Sequence, residues 1–320
     1  MRHCERARRA ARCALVAAGV SLILGADSAA ANELKSLGVS IGSRDFAFFV
    51  ALSKGAEFEA RRINPNAKIT TVEHYWNVPT QSAQIDAFIA AGVDLIVLNP
   101  SAPNGIEPAI GRARKAGIPV VAADSRAAGA DVTVETNNLQ AGRIACEYLV
   151  EKMGGKGAMV ILYGTFNTAV TDRAKGCNEA AAKHPEITIL AQSELSMGNR
   201  DDGLFLGASV LGKFPQVDGV FAINDASGVG MADAARKANR LNFPITAVDG
   251  APEAVQALKD PKTPQFVGTA SQDPFLMGRM AVQEGIKILN GQKPDRDLVQ
   301  MDTKMVTREN VNEYKGWTSN

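Results

Sequence analysis

Two aspartates close two nearly identical phrases of this chain. IPVVAADS ends on Asp124 and Ser125, and FPITAVDG ends on Asp249 and Gly250, 125 residues further on. The apolar run before each phrase also ends in an amide, Asn99 in VDLIVLNP and Asn224 in VDGVFAIND. An ionised carboxylate accepts two hydroxyl donors, and such charge-assisted bonds are about twice as strong as neutral ones. An amide donates and accepts at once. If the repeats face each other, these groups suit a polyhydroxylated ligand. Two carboxylates could also form the acid–base pair of a glycosidase, and the bland reading is that each aspartate caps the next helix or starts a turn.

The elements that carry these residues alternate in type. Short apolar runs, LGVSIG, AKITTVE, VDLIVLNP and IPVVAAD, are separated by segments of helical periodicity at residues 48–63, 80–91 and 105–116. The pattern restarts after Thr136, with helical segments at 140–153, 171–183 and 201–213 and strands in GAMVILYG, ITILAQS, VDGVFAIND and FPITAVDG. Continuous apolar strands are buried on both faces, which predicts parallel sheets covered by helices. Ligands of such sheets bind beyond the carboxyl ends of the strands. Asp124, Asp249, Asn99 and Asn224 all stand at such ends.

The order and spacing of several motifs resemble the ribose-type periplasmic sugar-binding proteins of ABC transporters, whose fold is shared with lactose-repressor-like effector domains. They are FFVALSKGAEFEA (48–60), AGVDLIVLNP, AGIPVVAAD, TNNLQAG, DRAKGC (172–177), VFAIND, ITAVDG and GTASQDP. The resemblance implies an α/β fold of two Rossmann-like lobes, each a parallel sheet flanked by helices, joined by a three-crossing hinge. It places the crossings near Thr136-Asn137, Ser271-Gln272 and Asp302. The N-lobe would comprise 32–136 plus 273–302, with an amphipathic helix following Pro274, and the C-lobe 137–272 plus 303–320.

The same resemblance implies a ligand set. Phe49 matches a ring-stacking aromatic with Phe48 beside it, one of the two expected to pack under the first helix. Asp124 and Asp249 match the carboxylates of the two lobes, Asn224 the C-lobe amide, and Gln272 and Asn137 positions at the hinge. The departures are Phe46 in place of an amide, Ser125 with Arg126 one place later than the usual arginine, Thr171 and Arg173 at a polar site, Cys177 in place of an aromatic, and Met197-Gly198 where a second stacking aromatic often falls. They predict that ribose is not the ligand, and that a molecule lacking one hydroxyl, or smaller or more apolar, is. Arg44, Asp45, His74, Tyr75 and Trp76 read as surface loop with a partly buried tryptophan, the cleft rim being the alternative.

The first 31 residues read as a signal peptide, with a basic start, the apolar stretch ALVAAGVSLILGA and a small-residue site ending at Ala31. The apolar stretch is shorter than the roughly 20 residues of a membrane span, so an exported chain without membrane insertion is expected, in the periplasm. Removing these residues from a chain of 320 leaves 289 and changes the net charge from +1 to −2, which gives no footing for nucleic acid. An N-terminal helix-turn-helix, which a repressor would need, has no place there. Cys146 and Cys177 remain, read as two buried thiols with a disulfide as the alternative. His74 and His184 lack metal-ligand spacing, and no nucleotide or nucleophile motif occurs. No metal, cofactor or catalysis is expected. The expected partners are a sugar or polyol and the permease and ATPase of an importer, the carrier itself being a monomer. A sensory receptor coupled to chemotaxis or a kinase is the other reading.

Overall fold

The computed structural model describes residues 33–164, 167–194 and 197–317; the segment read as a signal peptide lies outside them. In chain order the elements are β1 (Ser36–Ile41), α1 (Ala47–Ile63), β2 (Lys68–Glu73), α2 (Val78–Ala91), β3 (Leu95–Leu98), α3 (Glu107–Lys115), β4 (Val120–Ala123) and β5 (Val132–Thr136). They continue with α4 (Asn138–Lys152), β6 (Gly157–Tyr163), α5 (Thr168–Ala181), β7 (Ile187–Glu194), α6 (Arg200–Lys213), β8 (Gly219–Ala222), α7 (Asp225–Lys237), β9 (Ile245–Asp249), α8 (Pro252–Lys259) and β10 (Phe266–Ser271). The chain ends with α9 (Pro274–Leu289), β11 (Leu298–Met301) and β12 (Met305–Thr307).

The strands form two sheets, ordered β11-β5-β4-β3-β1-β2 and β12-β10-β9-β8-β6-β7. Pairing is parallel throughout the first, and in the second β12 alone runs antiparallel, against β10. The central strands LIVL, VVAA and GVFA are buried at every position, because helices cover both faces and every outward side chain must be apolar. In each sheet the strand order reverses beside the first strand, between β1 and β3 and between β6 and β8. Such switch points open a crevice at the carboxyl ends.

The chain passes between the sheets around Thr136-Asn137, Ser271-Asp273 and Asp302-Lys304. Backbone bonds tie these strands together: Asn137 N–H donates to Met301 O at 2.8 Å, and Ser271 N–H to Lys304 O at 2.8 Å. Thr303 Oγ1 adds a bond to Ser271 O at 2.7 Å.

Helices α4 and α5 lie unusually close, since a Cβ on Gly142 would meet the Arg173 backbone and one on Gly176 the Leu139 carbonyl. That approach corrects the reading of Cys146 and Cys177 as free thiols. It brings their Cα atoms to 5.0 Å and the two form a disulfide, well inside the usual span for the bond. Sequence periodicity placed both on helices but could not show that they face each other.

Candidate ligand-binding site

A cleft of about 730 Å³ lies at the carboxyl ends of both sheets. From the first sheet it takes Asp124 after β4 and the start of α1; from the second it takes Asn224 after β8, Asp249 at the end of β9 and Arg173 on α5.

The polar floor is built around two carboxylates. Asp124 is 5% exposed, and its Oδ2 accepts from Asn99 Nδ2 and from Ser125 Oγ, each at 2.9 Å. It holds φ at 74°, a left-handed conformation that an aspartate tolerates and that turns the side chain off the strand end. Burial pushes its pKa up to about 6, with the Arg173 charge opposing and Asp249 reinforcing the shift. Asp249 Oδ1 accepts from Gln272 Nε2 at 2.7 Å and from Arg173 Nη1 at 3.2 Å. Its pKa is also raised, burial being the main cause and Arg173 the main opposition. Behind it, Asp225 is fully buried and pushed well above the ordinary carboxylate range, first by burial and then by Asp249. Asp249 has a cation and an amide beside it, whereas Asp225 has the Thr269 hydroxyl and the Ala251 N–H, the latter at 2.7 Å, and burial raises both carboxyls of the pair.

Arg173 is fixed before any ligand arrives. Its Nε donates to Asn138 Oδ1 at 2.8 Å and its Nη1 to Ile223 O at 2.8 Å. Asn224 caps α7, accepting from Ser227 N–H at 3.1 Å, while its Nδ2 donates to Gly198 O at 2.7 Å. It therefore stands at the wall with one amide hydrogen uncommitted among the described contacts.

The opposite wall is aromatic. Phe46, Phe48 and Phe49 enter from the start of α1, Tyr75 and Trp76 from the turn after β2, and Trp317 from the chain's end. Phe49 is 7% exposed and joins the first-sheet core, with Phe48 packed beside it. Phe46 meets Trp76 edge-on at 5.3 Å between centroids. Tyr75 and Trp76 both hold positive φ, 50° and 55°, costly for bulky side chains and therefore imposed by their surroundings. His74 imposes it in part: its Nδ1 accepts from Trp76 N–H at 3.0 Å, and its Nε2 donates to Asn99 O at 2.9 Å. Burial holds the imidazole down to a pKa of about 4, the Asn99 bond opposing, so it is the neutral Nε2–H tautomer.

Phe46, Phe48, Phe49, Asp124, Arg173, Asn224, Asp249 and Gln272 thus come together at the cleft. Four other residues expected there lie elsewhere. Ser125 is buried beneath Asp124 and orients it. Asn137 caps α4 through Gln140 N–H. Thr171 is exposed on α5, donating to Thr168 O. Arg126 reaches across to the second lobe, where its Nη2 meets Asp172 Oδ2 at 2.6 Å and its N–H donates to Thr168 Oγ1 at 2.9 Å. Of residues 74–76, His74 departs from the surface-loop reading, being fully buried, while Tyr75, 60% exposed, and the half-buried Trp76 line the cleft. Trp317 was not anticipated; a second tryptophan in a chain that has two was the available signal.

Among the described residues no cluster of side chains could hold a metal ion, and no helix is long and apolar enough to cross a membrane.

Known proteins resemble the chain in sequence and fold. The chain is 28% identical over 309 residues to the xylitol-binding protein of Mycolicibacterium smegmatis, covering 92% of this chain and 84% of that protein. It is 27% identical over 285 residues to the ribose import binding protein of Escherichia coli, covering 88% and 94%. A solute-binding protein of a Mycobacterium smegmatis ABC transporter with bound glycerol superposes with a TM-score of 0.81 at 27% identity, over 88% of this chain and 97% of that one. One from Bacillus halodurans with bound myo-inositol gives 0.81 at 23% identity, over 90% and 99%, a likeness of fold. The periplasmic binding protein domain family matches residues 37–293, and the chain belongs to that family.

Proposed function

We propose that this protein is the solute-binding component of an ABC importer and captures a monosaccharide- or polyol-like ligand between its lobes. The observation that carries this reading is the placing of one carboxylate per sheet, Asp124 and Asp249, at one cleft. Neither sheet alone completes the site. A ligand that touches both stabilises the closed arrangement over the open one, and the three connections between the sheets are where the rotation occurs. The closed form is then what the permease and its ATPase receive. The first 31 residues are the export signal, and the secreted carrier works as a periplasmic monomer.

The relatives named for xylitol and for ribose stand at almost equal identity, so identity does not choose between an open-chain and a ring ligand. The wall favours the less hydroxylated choice. Phe46, packed edge-to-face with Trp76, has no hydrogen-bonding group of its own, so a hydroxyl held against its ring and left unpaired would cost about 1–3 kcal/mol. A deoxy sugar, a branched sugar or a short polyol avoids that cost.

Thermal unfolding of the chain from Asn32 with ribose, deoxy and branched sugars, tetritols and pentitols tests the proposal. A ligand at 100 times its Kd adds about 2.7 kcal/mol of stability. Stabilisation by a tetritol, pentitol or deoxy sugar is expected. Silence across the panel would remove the carrier reading, and ribose binding tighter than about 1 μM would remove the ligand choice alone.

A further inference from the structure

The chain does not end at β12. It runs on to bring Tyr314 and Trp317 against the segment that carries Asp249. Tyr314 packs on the second-lobe core, and its hydroxyl donates to Gly250 O at 3.1 Å. Trp317 Nε1 donates to Asp249 O at 2.9 Å. That carbonyl also accepts from Gln272 N–H at 2.8 Å, so both of its lone pairs are engaged. Gly250 is shaped for this docking: it holds φ at 66°, and a Cβ there would run into the Tyr314 hydroxyl. The terminal segment is thus anchored on the second lobe at two successive carbonyls.

From that anchor the Trp317 ring lines the cleft and meets Phe48 of the first lobe edge-on, 5.9 Å between centroids and 89° between planes. The residue is half-buried. The indole therefore combines three relations: a hydrogen bond to the backbone of a site carboxylate, an aromatic contact across the lobes, and a place in the lining of the cleft. We propose that Trp317 is a specificity-determining wall of the cleft and the second lobe's aromatic contact on closure, facing the C–H surface of a bound polyol or sugar. This rests on the reading of the cleft as a sugar or polyol site. It explains how the second lobe supplies an aromatic although Met197 and Gly198 stand at the mouth of α6.

The test is calorimetric titration of xylitol, D-ribose and myo-inositol into the wild type, Trp317→Ala and Trp317→Phe, with unfolding curves of each free protein. The expected result has the wild type binding at least one probe, Trp317→Ala weakening it by about tenfold or more, and Trp317→Phe keeping it within about threefold, because the ring rather than the indole N–H makes the wall. The alanine variant should also shift preference toward the bulkier myo-inositol. Wild-type affinity in Trp317→Ala overturns the proposal and leaves the carrier reading standing. Equal losses in both variants overturn it too, since the indole would then act only through the Asp249 backbone. A wild type silent to all three probes is titrated with the tetritols and with the deoxy and branched sugars; silence to these as well overturns the sugar or polyol reading and this inference with it, and that outcome is recognised before any variant is compared.

Discussion

Arg173 Nη1 lies 3.2 Å from Asp249 Oδ1 on a cleft floor where the two side chains are 4% and 13% exposed. The same guanidinium is the main charge that holds down the pKa of Asp124. One cation thus balances the carboxylates of both sheets, and its Nε and Nη1 are also committed to Asn138 and to Ile223 O. Breaking one side of a buried pair costs about 3–5 kcal/mol. Arg173→Ala should lower stability by that order in urea unfolding and abolish binding of any ligand the wild type takes. Arg173→Lys should recover part of the stability but not the Asn138 bond, because an ammonium lacks the planar fork.

Asp249→Asn separates charge from shape. The amide keeps an acceptor for Gln272 or Arg173 but loses the charge-assisted bonds to ligand hydroxyls. Binding should weaken by about a hundredfold, near 3 kcal/mol for one charged hydrogen bond. Undiminished affinity in titration calorimetry would take Asp249 out of the site.

The raised pKa of Asp124 makes both stability and binding depend on pH, in opposite senses. Its folded value of about 6 exceeds the ordinary 3.8, so between these values the folded state holds a proton that the unfolded chain has lost. Its contribution is fully present below about pH 4 and disappears as pH rises through 6, a loss of at most about 3 kcal/mol. Glu135, pushed to about 7 mainly by burial, acts in the same direction. His74, held near 4 by burial, opposes them, since the unfolded chain takes up its proton below pH 6.5. Ligand binding needs the ionised Asp124, so affinity should rise with pH up to about 6.5 and then level. Asp124→Asn should flatten both profiles, leaving the free protein more stable than wild type at pH 7.5 and equal to it at pH 4. Parallel profiles of variant and wild type would show that Asp124 does not titrate in this range.

Much of this site was legible because it is written at strand ends. IPVVAAD and FPITAVDG are buried strands whose apolar runs terminate in one charged residue, and the fold leaves that residue nowhere to point but the cleft. Elements with a weaker period were harder to see. Helix α7, ASGVGMADAA at its heart, has small residues on most faces because it packs tightly against α6, and so shows no stripe. Ser125 and Arg126 show the limit of carrying roles by alignment: a one-residue offset buries the serine under Asp124 and sends the arginine to Asp172. Trp317 lies after the last strand, where no periodicity constrains it. The indole's place depends on the Asp249 carbonyl, a partner 68 residues earlier.

The Cys146–Cys177 disulfide closes a sequence separation of 31 residues, which the chain-entropy model values at about 3–4 kcal/mol. It joins α4 to α5 four residues beyond Arg173, on the helix pair that carries the Arg173–Asn138 bond. Changing both cysteines to serine should cost that stability, read as a fall in the thermal midpoint that reductant reproduces in the wild type. Ligand affinity should drop by less than about threefold at a temperature where the variant stays folded, because Gly142 and Gly176 still set the helix spacing. A larger loss would mean that the covalent bond, rather than the glycine contact, places the guanidinium.

Arg126 and Asp172 predict how the empty carrier divides between its forms. Arg126 follows β4 of the first sheet and Asp172 lies on α5 of the second lobe, so their 2.6 Å pair and the adjoining Arg126 N–H bond to Thr168 exist only while the lobes are together. Both side chains are partly exposed, 39% and 24%, which limits the ion pair to about 1 kcal/mol. Asp172→Ala should therefore open the ligand-free ensemble, raising the radius of gyration in solution scattering, and should weaken ligand by about fivefold, since closure must be repaid from binding. At saturating ligand the scattering of variant and wild type should coincide. Arg126→Ala should do the same and more, because Glu135 Oε1, 3.5 Å away and fully buried, then loses the one cation beside it among the described contacts. If neither variant changes the free ensemble, the pair does not contribute to closure, and Arg126 is a support for Glu135 alone.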